Sequence, residues 1–165
     1  MNTIKSLAVT AIIFLSYSIS YSQTPLNINE GLQTAKSTGK KIFVDVFSGS
    51  DKWSNKMDSE IYSKPEIQSV LSRYVFVKLN ADSQDKVTYN GKEFTSSELA
   101  KTLGSTGYPT FIFMNPDGSV IKFKYNGDEE NNLSGFLGAD DFRELLEFFL
   151  NENYKSVDLS TVFSN

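Results

Sequence analysis

Apolar and polar residues alternate along this chain with two different periods. From Ile42 to Phe47 every position is apolar except Asp45, with Ile42, Val44 and Val46 on one face and Phe43, Asp45 and Phe47 on the other. A strand apolar on both faces is a central one, covered from both sides. Thr110 to Met114 has the same character, and Val75 to Asn80 is a third strand. Val120 to Tyr125 alternates Ile121, Phe123 and Tyr125 against Lys122 and Lys124, which predicts a half-exposed edge strand blunted by lysine. Val87-Thr88-Tyr89 and Lys92-Glu93-Phe94 flank Asn90-Gly91, the turn pair of a tight hairpin.

Between these strands the period lengthens to that of a helix. Asn29 and Glu30 open one that reaches about Lys36, with Leu32 and Ala35 inward and Gly39 beyond its end. Ser48-Gly49-Ser50 turns the chain into a second, from Asp51 or Lys52 to about Asp58. Ser63 as N-cap, Pro65 in the first turn and Glu66 open a third, whose Ile67, Val70, Leu71 and Tyr74 form one stripe. Thr95 with Glu98 is a capping box ahead of Leu99, Ala100 and Leu103, closed by Gly104. The last helix, about Asp140 to Asn151, carries Phe142, Leu145, Leu146 and Phe149. Asn115-Pro116-Asp117-Gly118 is a tight turn and Asn126 to Leu133 a polar loop. Beyond Asn153 the chain is thin in apolar residues and reads as an unassigned or frayed tail, residues 154–165. Strands alternating with helices predict an α/β domain over residues 23–153, a central mixed sheet flanked by helices with an inserted β-hairpin.

The first 22 residues stand apart. Lys5 is their only charge, Leu7 to Leu15 is an apolar run, and Ser20-Tyr21-Ser22 is a small, polar end. This is the pattern of a secretory signal peptide cleaved before Gln23. The run falls short of the roughly 20 residues that span a bilayer, so no stable membrane anchor is expected. The expected location is the periplasm or the medium.

Composition then removes whole classes of chemistry. The chain has 16 basic and 20 acidic residues, and Lys5 is the one basic residue of the leader, so the segment after residue 22 has a net charge of −5. A mildly acidic chain without a basic cluster argues against nucleic acid as partner. Cysteine and histidine are both absent. No thiolate can attack, no Cys/His zinc site can form, and no imidazole can serve a Ser triad. Carboxylates, Lys, Tyr and Ser remain, and no cofactor is indicated.

Four motifs in order resemble the thioredoxin superfamily, in particular its periplasmic, sulfur-oxidation-associated type. They are Phe43-Val44-Asp45-Val46-Phe47 leading to Trp53-Ser54-Asn55-Lys56-Met57; the hairpin Val87 to Phe94 with Ser97-Glu98-Leu99-Ala100; Gly107-Tyr108-Pro109-Thr110; and Gly135-Phe136-Leu137 ahead of Asp140-Asp141-Phe142. The resemblance spans roughly Glu30 to Asn151 and implies a thioredoxin-like fold. Counted back from Met57, the family's two cysteines fall at Asp51 and Ser54. Neither residue can carry thiol–disulfide exchange, so the resemblance stops short of the family's oxidoreductase activity.

It also implies that Asp45 is the family's buried carboxylate and that Pro109 is its cis-proline. Asp45 is then either a general base toward Ser54 or a water, or a relic held by a hydrogen bond to Ser54 or Lys56. Ser54 is either a nucleophile served by Asp45 or Asp51, or an isosteric replacement that caps and packs. Asp51 is a helix N-cap, with a metal reading that would pair it with Asp82 or Asp85. Trp53 is either an exposed contact or a lid on the sheet. Pro109 either presents the backbone of Tyr108 to an extended peptide or is a structural bend with no ligand. The reading that follows is an exported, redox-inactive, non-enzymatic thioredoxin-like protein, monomeric by default, binding a polypeptide through Asp51, Trp53, Ser54, Tyr108 and Pro109. A purely structural scaffold, an enzyme using Asp45, Asp51 and Ser54, and an oxidoreductase by homology only are the alternatives.

Overall fold

A computed structural model describes residues 23–163. The proposed leader, Met1 to Ser22, lies outside them. Among the described residues no helix is long and apolar enough to cross a membrane.

β1 (Ile42–Phe47), β2 (Val75–Asn80), β5 (Thr110–Met114) and β8 (Leu133–Ser134) form one sheet in the order β2-β1-β5-β8. β1 runs parallel to β2 and antiparallel to β5, which pairs antiparallel with β8. β3 (Lys86–Tyr89) and β4 (Lys92–Thr95) make the predicted hairpin, with Asn90 and Gly91 at φ 50° and 73°. Those positive values are the ones a two-residue turn needs to match strand twist. The mixed α/β architecture predicted from the pattern is therefore present.

The helices cover both faces. α1 (Ile28–Thr38) packs on β2 so closely that a Cβ on Gly31 would lie 2.2 Å from a Val77 methyl. It begins earlier than the sequence suggests: Asn27 caps it, in a reciprocal box with Glu30, and Ile28 and Ala35 are its buried side chains while Leu32 is half-buried. α2 (Lys52–Lys56) runs into a π-helical turn, Met57–Ile61, in which Tyr62 N–H donates to Met57 O at 3.0 Å. It thus overshoots the expected end at Asp58. In α3 (Pro65–Leu71) the extended residue before the helix is Lys64, not Ser63. Pro65 sets this boundary by disfavouring helical geometry in the residue before it. α4 (Ser96–Thr102) has the Thr95/Glu98 capping box, and α5 (Ala139–Leu150) carries the predicted stripe of Phe142, Leu145, Leu146 and Phe149.

One face of the sheet is aromatic. Phe43 lies 5.3–5.8 Å from Phe76, Phe111, Phe113 and Phe142, and Phe113 stacks on Phe149 at 3.8 Å. The other face is aliphatic, with Val44, Val46, Val77 and Ile112 under α1, α4 and the hairpin.

Two expectations for the C-terminal third need correction. The strand expected over 120–125 is short, β6 (Phe123–Tyr125), and it pairs with β7 (Asp128–Glu130) inside the expected polar loop. Asn126 and Gly127 make this second hairpin turn, at φ 54° and 88°. Over residues 154–163 the tail is also not frayed. Leu159 is fully buried in the aromatic core, and Tyr154, Val162 and Phe163 pack against it. Asp158 ties the tail to the second hairpin, accepting from Asn126 N at 3.1 Å, Gly127 N at 2.7 Å and Ser160 N at 2.9 Å. The Ser160 and hairpin donors hold its pKa down at about 2.

Candidate functional site

The sheet delivers its most unusual residue from the middle of β1. Register places Asp45 beside Lys78 of β2 and Phe111 of β5. Asp45 is fully buried, and Lys78 Nζ stands 3.6 Å from its Oδ2. That ammonium also pairs with Asp58 and lies 4.3 Å from the centre of the Phe47 ring. Burial drives the Asp45 pKa up to about 6, against the opposing pull of Lys78 and then of the Tyr62 hydroxyl. Burial and the neighbouring Asp45 push the Tyr62 hydroxyl well above its ordinary value in turn.

The expected hydrogen bond from Asp45 to Ser54 or Lys56 is not formed; the charged neighbour is Lys78. Among the described residues, Ser54 Oγ has no hydrogen-bond partner. Ser54 is itself buried, 1% exposed. A serine nucleophile needs its base within hydrogen-bond reach, and that dyad is not assembled here.

At the end of β1 the turn is held by Asp82, whose Oδ2 accepts from Ser48 Oγ at 2.9 Å and Gly49 N at 2.8 Å. Asp51 then caps α2: its Oδ1 accepts from Trp53 N at 3.0 Å and Ser54 N at 2.7 Å. These are the amides that would otherwise be left without partners at a helix start. Asp51→Ala should therefore cost about 1 kcal/mol of stability, with Asp51→Asn recovering most of it, as read by urea denaturation. Asp51 and Asp82 are both engaged with amide donors, and no group of three or more acidic side chains among the described residues is placed to hold a metal ion.

Trp53 resolves to a position between its two readings. It is 40% exposed, and it leans on Phe136, not on the sheet, with ring centroids 5.4 Å apart. Lys52 Nζ lies 4.8 Å from the Trp53 ring, and Lys56 Nζ 4.7 Å from that of Phe136. The loop carrying Phe136 is in turn tied to the proline loop, because Gly135 N–H donates to Pro109 O at 2.8 Å. The Tyr108–Pro109 peptide bond is cis. Thr110 Oγ1 closes the loop by donating to Gly107 O at 2.6 Å. Among the described residues, the N–H and C=O of Tyr108 make no hydrogen bond.

Contacts thus link Trp53 through Phe136 and Gly135 to Pro109, while Ser54 and Asp45 are both buried. Phe136 and Lys78 join this neighbourhood without having been singled out as site residues from sequence. A lysine among the apolar residues of β2 and an aromatic close to Gly135 and Gly138 were their signals.

The family of thioredoxin-like domains matches residues 28–150. The chain belongs to that family. Solved structures agree on the fold. A thioredoxin from Thermus thermophilus is 22% identical, with a TM-score of 0.56 over 79% of this chain and 88% of its own. A thioredoxin-fold protein from Helicobacter pylori is 16% identical, with a TM-score of 0.58 over 81% and 89%. An oxidoreductase named DsbH is 16% identical, with a TM-score of 0.55 over 90% and 96%. No curated protein matches the chain. Within this thioredoxin-like domain the loop after β1 contains no sulfur nucleophile, since the chain holds no cysteine. Exchange of thiols and disulfides is therefore not available to its own residues.

Proposed function

We propose that this thioredoxin-like domain is an exported, redox-inactive binding module that holds an extended stretch of polypeptide across the Trp53, Phe136 and Tyr108–Pro109 groove. The observation that carries the reading is the backbone of Tyr108, whose donor and acceptor have no partner among the described residues. A passing strand satisfies both groups by main-chain pairing, and this recognition needs no sulfur. Trp53 supplies the large, half-exposed aromatic contact typical of a binding hot spot. Ser54, itself buried, contributes by filling and not by contact. Export follows from the leader pattern of residues 1–22, and the module acts as a monomer.

Trp53 is the sole tryptophan of the chain, so its fluorescence reports on the groove directly. A peptide selected by display against residues 23–165 should change that emission on binding. The Trp53→Ala, Tyr108→Ala double variant should lose at least tenfold in affinity, roughly what one hot-spot contact is worth, while melting at a similar temperature. Selection that yields the same peptides for both proteins would move binding elsewhere on the domain. Purified protein should also show no turnover in a disulfide-reduction assay without added thiol.

A further inference from the structure

Beside the aromatic pair lies a recess of about 520 Å³ whose walls include Ile61, Phe136, Lys56 and Lys64, with Glu60 its one carboxylate. We infer that this recess makes the groove selective for acidic polypeptide segments, the acidic side chains of the bound strand meeting Lys52, Lys56 and Lys64 while its backbone crosses the groove. This inference rests on the peptide binding proposed above and adds the chemistry of the partner.

Three observations carry it. First, the lysines surround the contact residues. Lys56 Nζ is 5.6 Å from the Trp53 ring and 4.7 Å from the Phe136 ring, and Lys52 Nζ is 4.8 Å from the Trp53 ring. Both ammonium groups are thus held by ring faces at the aromatic contact. Second, their charge is little compensated. Among the described residues Lys52 and Lys64 make no ion pair, and Lys56 has only Glu60 at 3.8 Å, between two solvent-exposed side chains. An exposed pair of that length is weak and readily exchanged for another carboxylate. Asp51, the acid nearest in sequence, has an oxygen committed to the amides of Trp53 and Ser54. Third, the chain as a whole is acidic, with a net charge of −4. A positive patch on a negative protein steers an acidic segment to one place instead of attracting it everywhere.

The test uses three fluorescein-labelled ten-residue peptides of the same Val/Thr backbone. They carry two Glu, two Gln or two Lys residues and are titrated into residues 23–165 by anisotropy. The Glu peptide should bind about five- to tenfold more tightly than the Gln peptide, which in turn should bind more tightly than the Lys peptide. The spread should shrink in 0.5 M NaCl. The Lys52→Glu, Lys64→Glu variant, checked for folding by circular dichroism, should invert the order. Equal affinities for all three peptides would overturn the selectivity and leave groove binding standing. Failure of all three to bind at millimolar concentration would overturn both.

Discussion

Asp45→Asn should stabilise the protein at pH 7.5 by up to about 3 kcal/mol, and the gain should vanish near pH 4. The ordinary carboxyl pKa is 3.8 and burial raises that of Asp45 to about 6. Below pH 3.8 the group is protonated in both folded and unfolded chains, and its contribution is fully favourable. As pH rises, the unfolded chain releases its proton first and stability falls, until the folded carboxyl ionises as well near pH 6. Above that the penalty is constant. A shift from 3.8 to about 6 corresponds to about 3 kcal/mol, an upper value because the protein relaxes around the charge. Asn is nearly the same shape and never ionises. Lys78 loses one neighbour in the variant but keeps Asp58. Paired urea denaturations from pH 4 to 8 decide the matter, since other carboxylates cancel in the difference. A gain independent of pH, or a loss at pH 7.5, would mean that Lys78 compensates the buried charge fully.

Leu159→Ala should destabilise the protein by about 2–5 kcal/mol, the range for emptying a fully buried leucine site. The matched family ends at residue 150, yet Leu159 sits in the same aromatic core as Phe142 and Phe149. Val157→Ala is the control, since Val157 is 39% exposed and its loss should stay within about 0.5 kcal/mol. Equal melting of both variants and the parent would show that the segment after α5 adds nothing to the core.

Much of the fold was legible because its signals are local. β1 and β5 are apolar on both faces, Thr95 and Glu98 form their box within one turn, and Asn90-Gly91 dictates its own hairpin. The second Asn-Gly turn, at residues 126–127, carries the same signal, but the Asp128-Glu129-Glu130 arm that follows reads as a solvated loop. The tail escaped because one leucine fills the core there, with its helical turns only three residues long. At the site, Asp51 was legible as a cap, again a local bond. The pairing of Asp45 with Lys78 was not, because parallel register joins residues 33 positions apart and nothing near Asp45 in sequence announces it. Phe136 was likewise hidden: what brings it to Trp53 is the bond from Gly135 to Pro109.

The most direct measurement is an amide titration by ¹⁵N–¹H NMR of the uniformly labelled protein, residues 23–165, with a display-selected peptide. If the groove binds an extended strand, the backbone amide of Tyr108, the indole of Trp53 and the amide of Phe136 should shift together and saturate with one affinity. The amides of the Leu159–Thr161 turn, packed into the aromatic core, should stay in place. Saturable shifts that leave Tyr108 and Trp53 untouched would contradict the account, for the polypeptide would then be recognised on another surface.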